Sequence, residues 1–161
     1  MIDVDRMIDI RRLTLSDLDA IERIEQRVYA TPWSRSMFAG ELAKPSSLSL
    51  GAFGPEGRLL GYLIVSRYVD AWHIMNIAVE LERRRAGIAS RLLDSLFELT
   101  AGDARRGYTL EVRVSNTAAI ALYEGFGFTA SGVRRGYYTD NREDAIVMWK
   151  EPALAQEVAG G

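Results

Sequence analysis

The sequence predicts an α/β protein in which a mixed β-sheet carries helices on its faces. Segments with strand-like alternation or short apolar runs intersperse with segments of helical periodicity, in the order β-α-α-β-β-β-α-β-α-β-β. A strand, a helix and a strand over residues 71–114 imply a parallel crossover, whereas the hairpins imply antiparallel pairs. The 161 residues suffice for one domain with a sizeable core. We expect that domain over residues 8–150, after an N-terminal extension over residues 1–7 and before a flexible tail over residues 151–161.

The N-terminal part predicts one strand followed by two helices. Residues 7–13 (MIDIRRL) alternate in polarity, which is typical of a strand. Ser16 is the expected N-cap of the first helix. Residues at the spacing of one helix face follow in this segment, namely Leu18, Ile21, Ile24, Glu25 and Val28. A second short helix is predicted from Ser34 to the dipeptide Lys44-Pro45.

The middle of the chain predicts a hairpin, a third strand and a long helix. Residues 47–53 and 59–69 flank the turn sequence GPEG and are typical of two antiparallel strands. Residues 71–79 (AWHIMNIAV) follow directly as another strand. A helix is then predicted from about Gly87 to Thr100. Its apolar side chains form one stripe, consisting of Ile88, Leu92, Leu93, Leu96 and Leu99.

The C-terminal part predicts a strand, a helix and a final hairpin. Residues 107–114 (GYTLEVRV) alternate as a strand. Asn116 is the expected N-cap of the next helix, which ends at Gly125 or Gly127. Two last strands are predicted on either side of a polar loop, with ranges 128–135 for the first strand, 136–142 for the loop and 143–150 for the second strand.

Composition excludes several classes of function. The chain has no cysteine, so disulfides, thiolate nucleophiles and cysteine metal sites are impossible. Its one histidine, His73, rules out a histidine-rich metal site, and we expect no metal. A formal net charge of −2 gives no reason to expect a nucleic-acid or membrane partner. Neither a signal peptide nor a long apolar run is present, so a cytoplasmic protein is expected.

Residues 83–90 (RRRAGIAS) combine an arginine cluster with a small-residue turn at the start of a predicted helix. Helix N-termini attract anions through unpaired N–H groups, and Gly87 allows a ligand to approach the backbone. Arg84 and Arg85 can add charge-assisted hydrogen bonds. The pattern suits a pyrophosphate, although it matches neither a P-loop nor a dinucleotide fingerprint. A basic turn before a helix is more often a solvated surface, so both interpretations stay open at this point.

A second group of residues follows directly along the chain. Glu111 lies in mid-strand among apolar neighbours, sharing one strand face with Thr109 and Arg113. A carboxylate in that position costs free energy unless it has a partner or a function. Asn116 and Tyr123 lie on one face of the helix that follows, together with Ala119.

These stretches together resemble a known family. Residues 76–93 resemble the acyl-CoA motif of the GNAT superfamily of N-acetyltransferases, with Arg84, Gly87 and Ala89 fitting its Q/R-x-x-G-x-G/A pattern. Ala89 stands where glycine is also common. Three further stretches resemble the RimI-type branch, which acetylates the N-terminal alanine of the eighteenth small-subunit ribosomal protein: LEVRVSNTAAIALYEGFGF, RRGYYTDNREDAIVM and YATPWS. The resemblance covers about residues 8–150. It implies a six- to seven-stranded mixed sheet with splayed central parallel strands and about four helices.

The resemblance implies acetyl-CoA as the cosubstrate. The backbone of residues 77–79 would pair with the pantetheine arm, the amides of residues 84–89 would hold the pyrophosphate, and Asn116 would contact the arm. The implied contacts are Ile77, Ala78, Val79, Arg84, Arg85, Ala86, Gly87, Ile88, Ala89, Asn116, Ala119 and Tyr123.

The resemblance also assigns the chemistry. Acetyl transfer needs a neutral amine and a proton for the leaving thiolate. Glu111 is the candidate base, directly or through water, and Tyr123 is the candidate acid. Many relatives carry the base on the preceding strand, where this chain offers Asn76, a poor base, and His73. Alternatives remain: Glu111 pairs with Arg113 or another arginine, Tyr123 is a core residue, and His73 is a half-buried strand residue rather than an auxiliary base.

The expected substrate is a protein or peptide N-terminus, in particular that of a ribosomal protein. Trp33 and the loop residues Tyr137, Tyr138 and Asp140 are candidates for shaping its groove, as in the family. Trp33 is equally interpreted as a core residue, and the loop as a solvated hairpin. Two other functions compete: an enzyme that acetylates a small amine, and an acyl-CoA-binding module without chemistry. A monomer or weak dimer is expected.

Overall fold

The structure, a computed structural model, describes residues 7–84 and 86–152. Within these residues the strands are β1 Asp9–Arg12, β2 Ser47–Phe53, β3 Leu59–Tyr68, β4 Ala71–Val79, β5 Tyr108–Arg113, β6 Thr129–Arg134 and β7 Ala145–Lys150. The helices are α1 Leu18–Val28, α2 Arg35–Ala43, α3 Ile88–Thr100 and α4 Thr117–Gly125. Short 3-10 turns occupy Leu15–Asp17, Pro55–Gly57 and Leu81–Arg83. The predicted order of strands and helices is confirmed.

The seven strands form one mixed sheet in the order β1-β2-β3-β4-β5-β7-β6. β1, β2 and β3 pair antiparallel, as do β5, β7 and β6. The predicted parallel pair is β4 with β5, whose register joins Trp72–Ile74 to Tyr108–Leu110. These pairs lie at the beginning of both strands, as expected for central strands that splay. The described chain divides into two compact units, residues 7–66 with 76–99 and residues 67–75 with 100–152.

In the first unit, helices cover both faces of β3: α1 and α2 contact Tyr62, whereas the start of α3 contacts Gly61, whose Cβ position points to the opposite face. The most buried side chains of this unit are Ile21, Ile24, Phe38, Tyr62, Leu63, Leu92 and Leu96. Gly61 of β3 lets the start of α3 lie close to the sheet. A Cβ at this position would stand 3.0 Å from the Ala78 carbonyl oxygen and 3.1 Å from Ile88 Cγ2. A larger residue would require these neighbours to shift, so glycine suits this close approach.

Two local expectations for the first unit are wrong. Ser16 does not cap α1, because a 3-10 turn precedes the helix and the Thr14 amide donates to Asp17 Oδ2 at 2.8 Å. Leu99 belongs to the predicted apolar stripe of α3 but is 60% exposed at the last turn. α2 begins next to Ser34, close to the predicted start, and the Ser34 hydroxyl caps it by accepting from the Met37 amide at 3.3 Å.

In the second unit, α4 follows β5, and β7 lies between β5 and β6. The alternation on β5 is as predicted: Tyr108, Leu110 and Val112 are buried, whereas Thr109, Glu111 and Arg113 are half-buried. Asn116 caps α4 by accepting from the Ala119 amide at 3.2 Å. All six residues of β6, the last strand of the sheet, are exposed.

The expected chain ends remain predictions, because residues 1–6 and 153–161 lie outside the described part of the structure. In the part that is described, no helix is both long and apolar enough to span a membrane.

Candidate functional site

The turn between β4 and α3, in the first unit, is exposed to solvent and lies next to the buried side chain of Ile88. Arg84, Ala86 and Gly87 are exposed, whereas the Ile88 side chain is 1% exposed and holds the first turn of α3 in the core. Gly87 adopts a φ of +76°, and a Cβ added there would meet no atom within 4 Å. Glycine is thus needed for the left-handed conformation, and the space beside it is open. Arg85 lies outside the described residues.

A buried carboxylate fixes the beginning of this turn. Glu80 is 3% exposed, and its amide donates to the Leu60 carbonyl at 2.8 Å. Its Oε2 lies 3.3 Å from Arg58 Nη2 and 3.9 Å from Arg27 Nη1. Arg27 also contacts Glu82 at 3.0 Å. Sequence reasoning missed this cluster, because its members come from three separate segments of the chain.

At the end of β4, where the pantetheine contacts are expected, some groups are buried or already hydrogen-bonded within the protein. Ala78 and Val79 are buried, while Ile77 is half-buried and its carbonyl accepts a hydrogen bond from the Tyr29 hydroxyl. A carbonyl oxygen has two lone pairs, so this bond leaves Ile77 able to accept a second donor. Tyr29 therefore ties the segment after α1 to this part of β4.

Glu25 is the second buried carboxylate that the sequence did not identify. It lies at a position of helical spacing in α1 and is 1% exposed. Its Oε1 accepts from Asn76 Nδ2 at 2.9 Å and from the Tyr62 hydroxyl, and its Oε2 accepts from the Trp33 amide at 2.9 Å. Burial, reinforced by the Glu25 carboxylate, raises the pKa of Tyr62, which keeps its hydroxyl a donor.

Trp33 is consequently held by both its backbone and its ring. Its amide donates to Glu25, and its half-buried ring lies 5.1 Å from the Phe38 ring centroid. These contacts support packing as one function of Trp33 and leave its expected role toward a substrate as a prediction.

The second unit brings Glu111 and His73 together. Glu111 Oε2 and His73 Nε2 are 2.5 Å apart, and Glu111 Oε1 lies 3.6 Å from Arg134 Nη2. The hydrogen bond from His73 is the main cause that lowers the pKa of Glu111; burial opposes it, and the charges of His73 and Arg134 add to it. Glu111 therefore pairs with a histidine and with Arg134. Arg113, the arginine named first among the alternatives, is not its ion-pair partner.

Arg113 instead organises the polar loop after β6. Its guanidinium donates to Asp140 Oδ2 at 2.9 Å and to Glu143 Oε2 at 3.3 Å, and lies 3.9 Å from the ring centroid of Tyr138. Burial raises the pKa of Tyr138 to about 12, although the charge of Arg113 opposes this shift. The half-buried Tyr138 ring lies 5.1 Å from that of Tyr137.

Arg134 links this loop to Glu111. Its guanidinium contacts the Glu111 carboxylate and lies 5.5 Å from the ring centroid of Tyr137, which is 43% exposed. The structure thus brings Tyr137, Tyr138 and Asp140 to the neighbourhood of Glu111 through two arginines. The sequence did not identify this role of Arg134, because its partner depends on strand pairing.

Tyr123 lies in the interior of the second unit, at 5% exposure, with its ring 5.7 Å from that of Phe128. Its carbonyl accepts from the amides of Phe126 and Phe128 at 3.0 and 3.1 Å, which closes the end of α4. Asn116 and Ala119 are joined by the N-cap hydrogen bond. Packing and capping are therefore established for these residues, and their expected contacts with acetyl-CoA remain predictions.

Proton transfer is the chemistry that the second unit offers. A half-buried carboxylate, an imidazole and a guanidinium adjoin one another, and such groups exchange and stabilise protons near neutral pH. Within residues 7–84 and 86–152, no group of three or more His, Cys, Asp or Glu side chains could hold a metal ion.

Comparison with known proteins identifies the family. The model of the acetyltransferase (GNAT) family matches residues 18–128. The chain is 40% identical over 144 residues to the ribosomal protein bS18-alanine N-acetyltransferase of Escherichia coli (strain K12), covering 86% of this chain and 94% of that protein. It is 33% identical over 150 residues to the N-alpha-acetyltransferase RimI of Mycobacterium tuberculosis, covering 89% and 92%.

A solved structure agrees with these sequence relatives. The crystal structure of the ribosomal-protein-S18-alanine N-acetyltransferase from Escherichia coli matches with a TM-score of 0.83 and 38% identity, over 90% of this chain and 94% of that one. The predicted fold and the resemblance to the RimI-type branch are both confirmed. This chain belongs to the acetyltransferase (GNAT) family, and it is an N-acetyltransferase.

Proposed function

We propose that this enzyme transfers an acetyl group from acetyl-CoA to the α-amino group of a protein N-terminus, and specifically to the N-terminal alanine of ribosomal protein bS18. The relative from Escherichia coli is named for that activity and aligns over nearly the whole chain. The structural observation that carries the proposal is the half-buried Glu111 carboxylate, contacted by His73 and Arg134 and near the loop of residues 136–142.

Acetyl-CoA binds, in this proposal, along the end of β4 and the start of α3. When bound, it supplies the acetyl group as an activated thioester. The exposed backbone at Ala86 and Gly87 and the open space beside Gly87 fit a pyrophosphate, and Arg84 adds a positive charge. Ile77–Val79 offer backbone groups to the pantetheine arm. Asn116, Ala119 and Tyr123 are included as further contacts on the family resemblance alone.

Glu111 serves as the base that takes a proton from the attacking amine, directly or through water. An α-amino group has a reference pKa of roughly 7.7–8, against about 10.4 for a lysine side chain. An N-terminus therefore loses its proton to a weaker base than a lysine would require. The lowered pKa of Glu111 keeps this carboxylate ionised at neutral pH.

Tyr123 serves as the acid. As the amine nitrogen bonds to the acetyl carbon, the carbon–sulfur bond breaks and the departing thiolate takes a proton from the phenol. A phenol of reference pKa about 10 retains its proton at neutral pH and can then stabilise a thiolate of reference pKa about 8.5. The packing of Tyr123 against Phe128 holds its ring in a fixed position, which this role requires.

The loop of residues 136–142 is proposed to receive the substrate peptide. Tyr137 presents an exposed aromatic surface, while Tyr138 and Asp140 are held in place by Arg113. Trp33, anchored through Glu25, is proposed as a substrate contact on the family resemblance.

Release of the CoA thiol tests the proposal. The enzyme is incubated with acetyl-CoA and a peptide that carries the N-terminal sequence of bS18, with an otherwise identical peptide whose N-terminus is blocked as the control. We expect thiol release and a mass increase of one acetyl group at the α-amino nitrogen of the free peptide only. Faster turnover of a polyamine or an aminoglycoside would favour a small-amine enzyme. Acetyl-CoA binding with no turnover of any amine would indicate a non-catalytic module.

A further inference from the structure

We infer that His73 is the group on which the proton removed from the substrate amine comes to rest, with Glu111 orienting its imidazole. This inference rests on the proposed function, but it assigns the role of final proton acceptor to His73 in place of Glu111. Glu111 and His73 have side chains that are 12% and 22% exposed, and their Oε2 and Nε2 atoms are 2.5 Å apart. Both therefore remain accessible to a water molecule while being shielded from bulk solvent.

Strand register builds this pair. His73 of β4 lies opposite Thr109 of β5 in the parallel pairing, and Ile74 lies opposite Leu110. Side chains alternate between the faces of a sheet, so Thr109 and Glu111 share one face with His73. The contact is thus a diagonal one between neighbouring strands, and one residue of register slip would separate the two side chains.

The hydrogen bond fixes which nitrogen of His73 can accept a proton. A carboxylate opposite Nε2 requires an N–H there, so the neutral imidazole keeps its lone pair on Nδ1. The proton that leaves the amine passes through water to Nδ1, and the pair changes from carboxylate and neutral imidazole to carboxylate and imidazolium. The carboxylate stabilises the imidazolium that forms, as the aspartate does in a serine-protease triad.

The charges around Glu111 favour His73, rather than Glu111, as the final proton acceptor. Arg134 from β6 contacts Glu111 Oε1, and His73 contacts Oε2, so both carboxylate oxygens face positive or potentially positive groups. A carboxylate in that environment holds a proton weakly. With reference pKa values of about 6.5 for imidazole and about 4.3 for glutamate, an imidazole is about 100-fold the better acceptor. Tyr68 of β3 also lies near His73, with ring centroids 6.1 Å apart.

Replacement of His73 by glutamine tests the inference. His73→Gln retains a side-chain N–H that can donate to Glu111 but cannot take up a proton near neutral pH. We expect kcat on the alanine-starting peptide to fall by about 100-fold or more, the lower end of what general bases contribute. The KM for acetyl-CoA should not change. Thr109→Val, at the register partner of His73, is the matched control and should retain wild-type kcat.

The dependence of kcat on pH separates proton transfer from a purely structural role. At saturating peptide, the wild-type rate should fall on the acid side as the proton acceptor becomes occupied. His73→Gln should change the shape of that limb, whereas Thr109→Val should keep the wild-type shape. His73→Asn provides a second variant if His73→Gln does not fold. A wild-type kcat that is constant on the acid side, or a His73→Gln enzyme with wild-type kcat and profile, would overturn the inference. In both cases peptide acetylation by the wild type would leave the proposed function intact.

Discussion

Glu111 and His73 share a hydrogen bond of 2.5 Å that joins β5 to β4 within the second unit. The bond accounts for a mid-strand carboxylate among apolar neighbours, since a half-buried charge is tolerated when it is paired. Arg134 completes the environment from β6. The same arrangement of Glu111, His73 and Arg134 would serve either as a structural ion-pair cluster or as a proton-accepting site. Substitutions distinguish the two roles.

Glu111→Gln should remove catalysis while sparing the cosubstrate. The amide cannot accept a proton or stabilise an imidazolium, so we expect kcat to fall by about 100-fold to 10,000-fold. The Kd for acetyl-CoA, measured by calorimetry, should be unchanged. Glu124→Gln, at an exposed position of α4, is the matched control and should behave as wild type. Near-normal turnover by Glu111→Gln would assign Glu111 to structure alone.

Tyr123→Phe should separate chemistry from binding in the same way. The substitution removes the hydroxyl but keeps the ring that packs against Phe128, so the fold should be retained. We expect a strong loss of kcat with acetyl-CoA affinity nearly intact, measured by thiol release and by calorimetry. An equal loss of turnover and affinity would contradict the role of Tyr123 as an acid.

Gly87→Leu should abolish acetyl-CoA binding. Gly87 has a φ of +76° and open space beside it, so a leucine would project into the volume proposed for the pyrophosphate. Gly57 offers a matched control, because it has the same φ of +76° and equally open surroundings in the β2–β3 turn. Both variants should lose about 1–2 kcal/mol of stability from the left-handed backbone. Only Gly87→Leu should lose acetyl-CoA, and unaltered affinity would count against this site.

Tyr138 should make the enzyme sensitive to alkali. Burial raises its pKa from 10.0 to about 12, so the folded protein binds this proton more tightly than the unfolded chain does. The associated stability is complete below pH 10 and is lost as the pH rises through about 12. Tyr138→Phe should remove one late step from the phenolate absorbance titration and flatten the decline of unfolding free energy over that range. Loss of a step near pH 10 in place of the late one would show that Tyr138 ionises normally.

Val69→Asn should stabilise the protein. Val69 and Asp70 form the turn between β3 and β4 with φ values of 51° and 82°, a conformation that disfavours a β-branched residue and suits asparagine. We expect the free energy of unfolding, from urea titration, to rise by about 1 kcal/mol. Val133→Asn replaces an exposed valine within β6 and should give no such gain. Equal effects at both positions would refute backbone strain as the cause.

Sequence patterns alone predicted the order of strands and helices, the start of α2 at Ser34, the cap at Asn116 and the two faces of β5. Each of these features depends on residues within a few positions of one another, because apolar periodicity and capping are local. The error at Ser16 arose from another local pattern. Thr14 and Asp17 cap the tight turn before α1, and their spacing resembles that of a helix start.

The partners of the charged side chains became known only from the tertiary structure. His73 and Glu111 are 38 residues apart, and their contact depends on the register of two parallel strands, which periodicity does not specify. The sequence did not identify the buried carboxylates of Glu25 and Glu80 either, because their hydrogen-bond and ion-pair partners come from separate segments of the chain. Burying a carboxylate requires donors to converge from several elements, and that convergence exists only in the folded chain.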